Sequence, residues 1–444
     1  MPEGAVVSEE TPLPAALDAG GVPRLRQAQR DQVEFRAASW NDLLPDDHQA
    51  RIVWQYAETS DLSELYSAIK AVERRPGHPP IDPRILFTLW IYATLRGIGS
   101  ARELARRCES DLPFQWICGG VSVNYHTLAD FRVAHVQFLD GLLTSSVAVL
   151  LHQRLVTLDR VAQDGMKVRA SAGAASFRRE KTLQACLQQA REQLDRLSQE
   201  QDADPAAANR RLAAARERSA EDRARRMAKA LEELPLVREK KSGPAERENA
   251  RVSMTDPEAR VMKMPDNGFR PAYNVQLATD TQTQIVTGVE VTNLGSDQGQ
   301  LAPMIEQHGE RYDQVPEAVL VDGGFVKKAD IDQLTPPQGG TVVYAPVMKS
   351  HDPNRDPHTP RDDDSPAVAA WRMRMSSPEA KEIYKERAST AECVNAQLRN
   401  CGLYQVRVRG TPKVLAVVLW HVLAHNLMRT VALSAAEWEG SGIQ

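Results

Sequence analysis

The sequence predicts an α/β protein in which an all-α N-terminal region precedes a mixed sheet flanked by helices, with a helical hairpin inserted after the first strand. Three observations support this prediction. Apolar residues recur every three or four positions between about residues 40 and 150, alternating stretches replace them from residue 158, and leucine- and alanine-rich heptads occupy roughly 178 to 249. At 444 residues the chain exceeds what one hydrophobic core usually serves, so several structural units are expected.

The composition excludes some classes of protein. The net charge of −4 gives no overall signature of nucleic-acid binding, so a polyanionic partner would need local basic patches. Five cysteines form no CxxC pair, which argues against a zinc site or a disulfide framework and favours a reducing cytoplasm. The longest apolar stretch, 414–428, is too short for a membrane span and predicts a buried helix. Its two histidines, His421 and His425, are expected to be hydrogen-bonded core residues.

The first 39 residues lack the basic flank and apolar core of a signal peptide, and we interpret them as a disordered leader. The region 40–150 is typical of short helices joined by tight turns. A capping-box pattern, Ser100 to Glu103, begins one helix, and YHTLADFR at 125–132 follows a Gly-Gly turn. This arrangement suits a helix-turn-helix DNA-binding domain, and a helical bundle without DNA contacts fits equally well. The candidates for phosphate contacts are Arg102, Arg106, Arg107 and Arg132.

The region 151–435 is expected to form the second domain. Its elements follow the order strand, strand, strand, helix, strand, helix, strand, and then a long helix from about Pro378. The strands are expected at 158–170, 273–280, 284–293, 317–325 and 341–346, and the intervening helices at 300–312 and 327–334. That order is the RNase H-like pattern, a mixed sheet flanked by helices.

The segment 178–249 interrupts this pattern between the first and second strands. Its two heptad patterns are separated by Asp204 and Pro205, which suit a helix start, so an antiparallel helical hairpin is expected. Charge-rich helices usually face water. A solvated spacer is therefore preferred to a DNA or dimer contact for this insertion.

Two aspartates stand at comparable places in the expected sheet. In an RNase H-like sheet the first and fourth strands are parallel neighbours, and Asp164 lies on the first while Asp322 ends the fourth. Each is followed by glycine, which lets a ligand approach closely. Either aspartate alone would more often be a turn residue. Their joint position predicts a shared site.

A third carboxylate is expected from the helix after the last strand. Glu379, Glu382 and Glu386 share one face, as on any solvated helix, whereas Glu392 stands among small and apolar residues, where an unpaired charge is costly. We therefore favour Glu392. Three converging carboxylates require divalent cations, and hard oxygen ligands suit Mg²⁺ or Mn²⁺. Two such ions catalyse phosphoryl transfer, so the expected substrate is a phosphodiester and hence nucleic acid.

One stretch makes a family resemblance specific. YKERASTAECVNAQLR contains Tyr384-x2-Arg387-x4-Glu392-x6-Arg399 and resembles the signature around the last acid of DDE transposases from bacterial insertion sequences. Further stretches that resemble family blocks are DGMKVRASA, AVLVDGGF, GVEVTNLGSDQGQLAPMI, RGTPKV…AHNLMR and the region from Ile81 to Arg132. The resemblance covers about residues 40 to 430, and the order and spacing of the blocks make it specific.

The resemblance implies an enzyme that binds the inverted repeats at its element's ends, cuts there and joins the 3′ ends to target DNA. It implies Mg²⁺ held by Asp164, Asp322 and Glu392, with two ions expected. Tyr384 and Arg387 match the signature, and Arg399 replaces its usual lysine; these residues are expected to contact DNA or its phosphates.

The expected partner is double-stranded DNA, at both the element ends and the target, in a DNA-associated bacterial protein of the cytoplasm. A homodimer or higher assembly on DNA is expected, with no membrane association. Two alternatives remain at this stage. The chain could be a catalytically silent descendant that only binds DNA, or an RNase H-like nuclease that cuts without joining.

Overall fold

The computed structural model describes residues 39–69, 79–203, 210–335, 340–349 and 355–440. The expected leader, apart from Ser39, lies outside these ranges, and so does the expected helix start at Asp204 and Pro205. All five cysteines are free thiols, as their spacing predicts.

The N-terminal part of the described chain is helical. A 3₁₀ turn at Trp40–Leu43 precedes helices α1 (Gln49–Thr59), α2 (Ser63–Ser67), α3 (Pro83–Leu95), α4 (Ala101–Ser110), α5 (Leu112–Cys118), α6 (Tyr125–Ala134) and α7 (Val136–His152). The Ser100 side chain accepts a hydrogen bond from the Glu103 backbone N–H (3.4 Å) and so caps α4 as predicted. The expected Gly-Gly turn ends α5, where Gly119 has a φ of +53°.

The second part of the chain contains the strands. In order it forms β1 (Arg160–Arg169), β2 (Phe177–Arg178), α8 (Glu180–Ala203), α9 (Arg210–Glu239), α10 (Pro244–Glu248), β3 (Val252–Ser253), β4 (Arg260–Lys263), β5 (Phe269–Asp280) and β6 (Val286–Thr292). It continues with α11 (Leu301–Tyr312), β7 (Ala318–Leu320), α12 (Lys328–Leu334), β8 (Val342–Tyr344), α13 (Pro366–Ser376), α14 (Pro378–Arg387), a π-helical turn (Ala388–Glu392), α15 (Cys393–Asn400) and α16 (Thr411–Gly440).

The main sheet is mixed, as expected. Its strands lie in the order β6, β5, β1, β7, β8, and β4 also pairs with β5. β5 is antiparallel to β1 and β6, whereas β1, β7 and β8 are parallel to one another. The first and fourth of the predicted strands, β1 and β7, are therefore parallel neighbours, as an RNase H-like order requires. The short strands β2, β3 and β4 were not predicted.

The inserted segment contains the two expected helices, α8 and α9, which pack against each other. Leu183, Met227 and Leu234 form the buried interface at their base. The expected long helix from Pro378 differs from the prediction, because a π-helical turn divides it into α14 and α15.

Helix α16 joins the N-terminal helices to the sheet. Its Trp420 ring lies 5.4 Å from the Phe87 ring, centroid to centroid, and its indole N–H donates to the Arg132 carbonyl (2.9 Å). On the other side, the Asn426 side chain hydrogen-bonds both the N–H and the carbonyl of Val286 on β6. One apolar core thus runs through both parts. The boundary near residue 150 stays a prediction.

The burial of α16 agrees with the prediction for 414–428. Among the described helices, Thr411–Ala435 is long and apolar enough to cross a membrane, and 61% of its window is buried inside the protein, as in a core helix. His421 hydrogen-bonds the Val417 carbonyl and His425 the Gln284 carbonyl, each at 2.8 Å. Burial lowers the pKa of both rings. They are satisfied core histidines, as predicted.

The prediction that the N-terminal arginines are available for phosphates is wrong for Arg132. Its side chain is buried, donates to the Gly99 carbonyl and lies 4.9 Å from the centroid of the Trp90 ring. Arg106 and Arg107 are exposed but form ion pairs with Glu103. Arg102 is exposed and lies over the Tyr125 ring.

Candidate active site

The strand register brings Asp164 and Asp322 to equivalent positions. Ala162 of β1 is paired with Leu320 of β7. Asp164 lies two residues after Ala162, and Asp322 lies two residues after Leu320. Asp164 is still within the sheet, opposite Leu277 of β5. Parallel neighbouring strands keep such residues on the same face, because side chains alternate with a period of two.

The Asp322-Gly-Gly sequence forms a turn that the aspartate itself holds. The last ladder bond of this strand runs from the Val321 N–H to the Tyr344 carbonyl (3.0 Å). The Asp322 Oδ1 then accepts a hydrogen bond from the Gly324 N–H (2.8 Å). The turn therefore engages one oxygen of the carboxylate and fixes its direction at the end of the strand.

Asp164 is held by residues from the helices after β8. Its Oδ2 accepts from the Asn395 side chain (2.8 Å), and its Oδ1 pairs with Arg387 Nη2 (3.2 Å). Burial is the main reason why the pKa of Asp164 is raised above its ordinary value. The negative charge of Asp322 acts in the same direction, and the positive charge of Arg387 opposes both.

Arg387 connects two of the three candidate acids. Its Nη1 lies 3.3 Å from Glu392 Oε1, while its Nη2 contacts Asp164. Residues five apart lie on different faces of an α-helix, which has 3.6 residues per turn. The π-helical turn at Ala388–Glu392 has an i to i+5 repeat and so brings Arg387 and Glu392 to the same side. The x4 spacing of the motif thus has a structural reason.

Tyr384 lies in the field of all three acids. Burial is the largest cause of its raised pKa, and the charges of Asp322, Asp164 and Glu392 raise it further, against the opposing effect of Arg387. Its phenol therefore stays protonated at neutral pH and is available as a hydrogen-bond donor.

A fourth carboxylate, Asp297, lies beside this cluster and was not singled out from the sequence. It belongs to the loop between β6 and α11, and its Oδ1 lies where a side chain at Gly165 would be: a Cβ there would be 2.1 Å away. The Asn274 and Gln276 amides donate to this oxygen (2.6 and 2.7 Å), and Lys167 Nζ lies 3.0 Å from Oδ2. The glycine after Asp164 is therefore required by Asp297.

Two family models match the chain. A Transposase domain (DUF772) matches residues 38–134, and a Transposase DDE domain matches residues 250–427. The chain belongs to the DDE-type transposases of insertion sequences. Neither the curated proteins nor the solved structures that were compared contain a match.

The two matched ranges do not contain every candidate residue of this transposase. Asp322 and Glu392 lie within the DDE range, together with Asp297, whereas Asp164 precedes it and the hairpin α8–α9 separates the two ranges. The inclusion of Asp164 therefore depends on its register with Asp322 and on its contacts with Arg387 and Asn395.

The reason for choosing Glu392 from the sequence was wrong. Its side chain is 61% exposed, because the small and apolar neighbours face the sheet while Glu392 faces outward beside Arg387. The solvated-face prediction is also wrong for Glu386, which pairs with Arg160 (2.8 Å) and is partly buried. Glu379 and Glu382 are exposed, as predicted.

Arg399 lies apart from this cluster. It is exposed near the end of α15, and in the described ranges no hydrogen bond or ion pair joins it to Asp164, Asp322 or Glu392. Arg399 therefore does not support the acids in this arrangement.

The chemistry of the acids fits a hard divalent cation, because carboxylate oxygens are the ligands that Mg²⁺ and Mn²⁺ prefer. Within the described ranges, no three acidic, histidine or cysteine side chains are arranged as a ready-made metal site. Arg387 supplies the positive charge between Asp164 and Glu392 in this arrangement, and its buried Nε has no hydrogen-bond partner. DDE transposases as a family use divalent metal ions.

Proposed function

We propose that this transposase binds the terminal inverted repeats of an insertion sequence and catalyses metal-dependent strand cleavage and strand transfer. The observation that carries the proposal is the register of β1 with β7, which aligns Asp164 with Asp322, together with the Arg387 contact that brings Glu392 to the same point. Family membership supports DNA as the substrate.

Asp164, Asp322 and Glu392 would hold Mg²⁺ or Mn²⁺, and we propose two ions. When bound, such ions activate a nucleophile and stabilise the leaving oxygen of a phosphodiester. The family's use of divalent metals and the oxygen-only donor set support this part of the proposal.

The surrounding residues orient the acids and the DNA. The Asn395 amide fixes the orientation of the Asp164 carboxylate, and the Asp297 carboxylate restricts the backbone at Gly165. Arg387 reduces the repulsion between Asp164 and Glu392 and offers further N–H donors to a phosphate. Tyr384 would donate its hydroxyl proton in a hydrogen bond, and Arg399 would contact the DNA backbone further away.

The test uses the full chain and a labelled duplex that carries the element's end, with binding and cutting measured on the same samples. Asp164→Asn, Asp322→Asn and Glu392→Gln should bind the end as wild type does and cut it undetectably in Mg²⁺, because each amide keeps the volume and removes a ligand charge. The matched control is Glu382→Gln on the exposed face of α14, which should cut nearly as well as wild type.

The outcomes distinguish the alternatives. Substantial cutting by Asp322→Asn would contradict the site. Wild-type protein that binds the ends but cuts nothing would be a DNA-binding descendant. Cutting without joining of a pre-cleaved 3′-OH end to a second duplex would indicate a nuclease.

A further inference from the structure

A second charged feature lies where three parts of the chain meet. Helix α6, helix α9 and the segment 405–413 enclose an open groove of about 620 Å³, which also includes the loop 255–258. We call it the hairpin groove and define it by its exposed or partly exposed cations, which come from the hairpin and the C-terminal segment: Arg225, Lys229, Arg407, Arg409 and Lys413.

Most acidic side chains of the hairpin groove are already engaged. Asp256 Oδ1 accepts from the Tyr273 hydroxyl (2.8 Å) and from the Gly410 N–H (3.1 Å). Glu258 Oε2 accepts from the Thr411 N–H at the start of α16 (2.7 Å). Asp222 pairs with its helix neighbour Arg226 (3.1 Å). These carboxylates cap backbone or balance a local charge. Among the groove's cations Lys229 pairs with Glu233 (3.5 Å), and one further carboxylate, the exposed Asp130 of α6, lines the groove.

The segment 405–409 presents its arginines to one side. Val406 and Val408 are buried while Arg407 and Arg409 are exposed, the alternation of an extended strand. Within the described part of the chain, the side chains of Arg225, Arg407, Arg409 and Lys413 form no hydrogen bond or ion pair. Exposed cations that converge without partners favour a bound anion.

Arg132 strengthens this argument from the floor of the groove. It is buried, and its Nε has no hydrogen-bond partner in the described structure. Burial, followed by the nearby positive charge of Arg407, lowers the pKa of Arg132 to about 10. Two neighbouring guanidinium groups, one of them buried, would be stabilised by negative charge in the groove.

The distance along β1 between Asp164 and the start of the groove segment can be compared with the helical turn of DNA. Gln405 forms a bridge with Arg169 at the end of β1, five residues after Asp164. At about 3.3 Å per residue, Arg169 lies roughly 16 Å from Asp164 along the strand, and Arg407 follows two residues after its partner Gln405. This distance is about half a helical turn of B-form DNA, whose full turn is about 34 Å. A duplex that contacts both would therefore span about half a turn between them.

We propose that the hairpin groove binds the sugar–phosphate backbone of a DNA duplex whose cleaved bond lies at Asp164 and Asp322. The inference rests on the proposed function for the place of the cleaved bond; the backbone contact follows from the groove's own charges. It makes the inserted hairpin a DNA contact through Arg225 and Lys229, instead of the solvated spacer that its sequence favours.

The test measures DNA affinity of the full chain against salt concentration, in a chelator so that no cutting occurs. Each phosphate contact contributes about 0.9 to the slope of log K against log salt, or on the order of tenfold in affinity at ~0.1 M salt. Arg407→Ala/Arg409→Ala should reduce the slope by about 2, and Arg225→Ala by about 1. Arg407→Lys/Arg409→Lys should keep most of the wild-type slope.

The matched control is Lys181→Ala/Arg191→Ala, which removes two exposed cations of α8 outside the groove and should leave the slope unchanged. Melting curves of all variants establish that the fold is retained. An unchanged slope in Arg407→Ala/Arg409→Ala overturns the inference. So does a change in self-association without a change in slope, which would make the groove a protein contact.

The proposed function fails independently of this inference. If the groove variants show reduced slopes but the wild-type protein never cuts element ends, the groove is retained as a DNA site and the proposed chemistry is rejected. Normal cutting by the wild-type protein, with unchanged slopes in the groove variants, would retain the proposed chemistry and reject the groove as a DNA site.

Discussion

Two places along β1 lie in surroundings of opposite charge. Near Asp164, the carboxylates of Asp164 and Glu392 contact a single guanidinium, that of Arg387, and Asp322 lies at the equivalent position on the neighbouring strand. Beyond Arg169, exposed arginines and lysines meet around carboxylates that are engaged in capping. The first region has the charge that a divalent cation requires, and the second has the charge that phosphates require. We infer that catalysis and DNA holding are divided between them.

The division predicts different phenotypes for the two regions. Variants of Asp164, Asp322 and Glu392 should change cutting and leave the salt dependence of binding unchanged, whereas variants in the hairpin groove should change the salt dependence. A variant that moved both quantities equally would show that the regions are not separate.

Outside the three acids, the largest effect is expected at Gly165. Gly165→Ala would bring a Cβ to 2.1 Å from Asp297 Oδ1, which the Asn274 and Gln276 amides hold in place, so the strand or the loop must move. A displacement of about 1 Å near reacting groups costs on the order of 100-fold in rate. Cutting of end DNA should fall by about that factor. The double variant Gly165→Ala/Asp297→Gly should recover part of the loss, and failure to recover with both proteins folded would contradict the steric explanation.

A smaller effect is expected for the two signature arginines, and they should differ. Arg387→Ala removes the cation that contacts both Asp164 and Glu392 and should reduce cutting by roughly 10- to 100-fold. Arg399→Ala removes an exposed cation that contacts neither and should reduce cutting less than about fivefold. Single-turnover cutting rates provide the comparison. Equal losses would show that Arg399 approaches the acids when DNA is bound.

The smallest effect concerns stability. The pKa of Asp164 is raised in the folded protein, so the folded state binds a proton more readily than the unfolded state. The free energy of unfolding therefore decreases as the pH rises from the ordinary value of 3.8 through the raised pKa of the folded state. Without metal, Asp164→Asn should melt slightly higher than wild type at neutral pH, by about 1–2 °C.

That difference should disappear as the pH falls toward the ordinary value of 3.8. Melting curves at several pH values, recorded in a chelator, measure it. A lower melting temperature for Asp164→Asn at neutral pH would mean that the Arg387 pair outweighs the cost of burying the charge.

The strands were predictable because alternation is a local property. The patterns at 158–170, 273–280 and 284–293 agree with β1, β5 and β6. Asp164 and Asp322 followed from the strand order, since the parallel pairing of β1 and β7 fixes their relation. The need for a glycine at position 165 could not be predicted from the sequence, because Asp297, which excludes a side chain there, lies in a loop without periodicity.

The helical part of the site was harder to predict for a physical reason. Whether Glu392 faces the sheet or the solvent depends on the π-helical turn, and nothing in the sequence composition signals an i to i+5 repeat. The same limit applies to Arg132. Cations on amphipathic helices usually face water, and its burial under Trp90 and Arg407 depends on tertiary packing.

The most direct measurement is a titration of the full chain with Mn²⁺, followed by the loss of the free-ion signal in electron paramagnetic resonance. Wild-type protein should bind Mn²⁺, and Asp164→Asn, Asp322→Asn and Glu392→Gln should each weaken binding by at least about tenfold. Glu382→Gln and Arg407→Ala/Arg409→Ala should bind as wild type does. Equal Mn²⁺ binding by wild type and Asp322→Asn would contradict the claim that the three acids form one metal site.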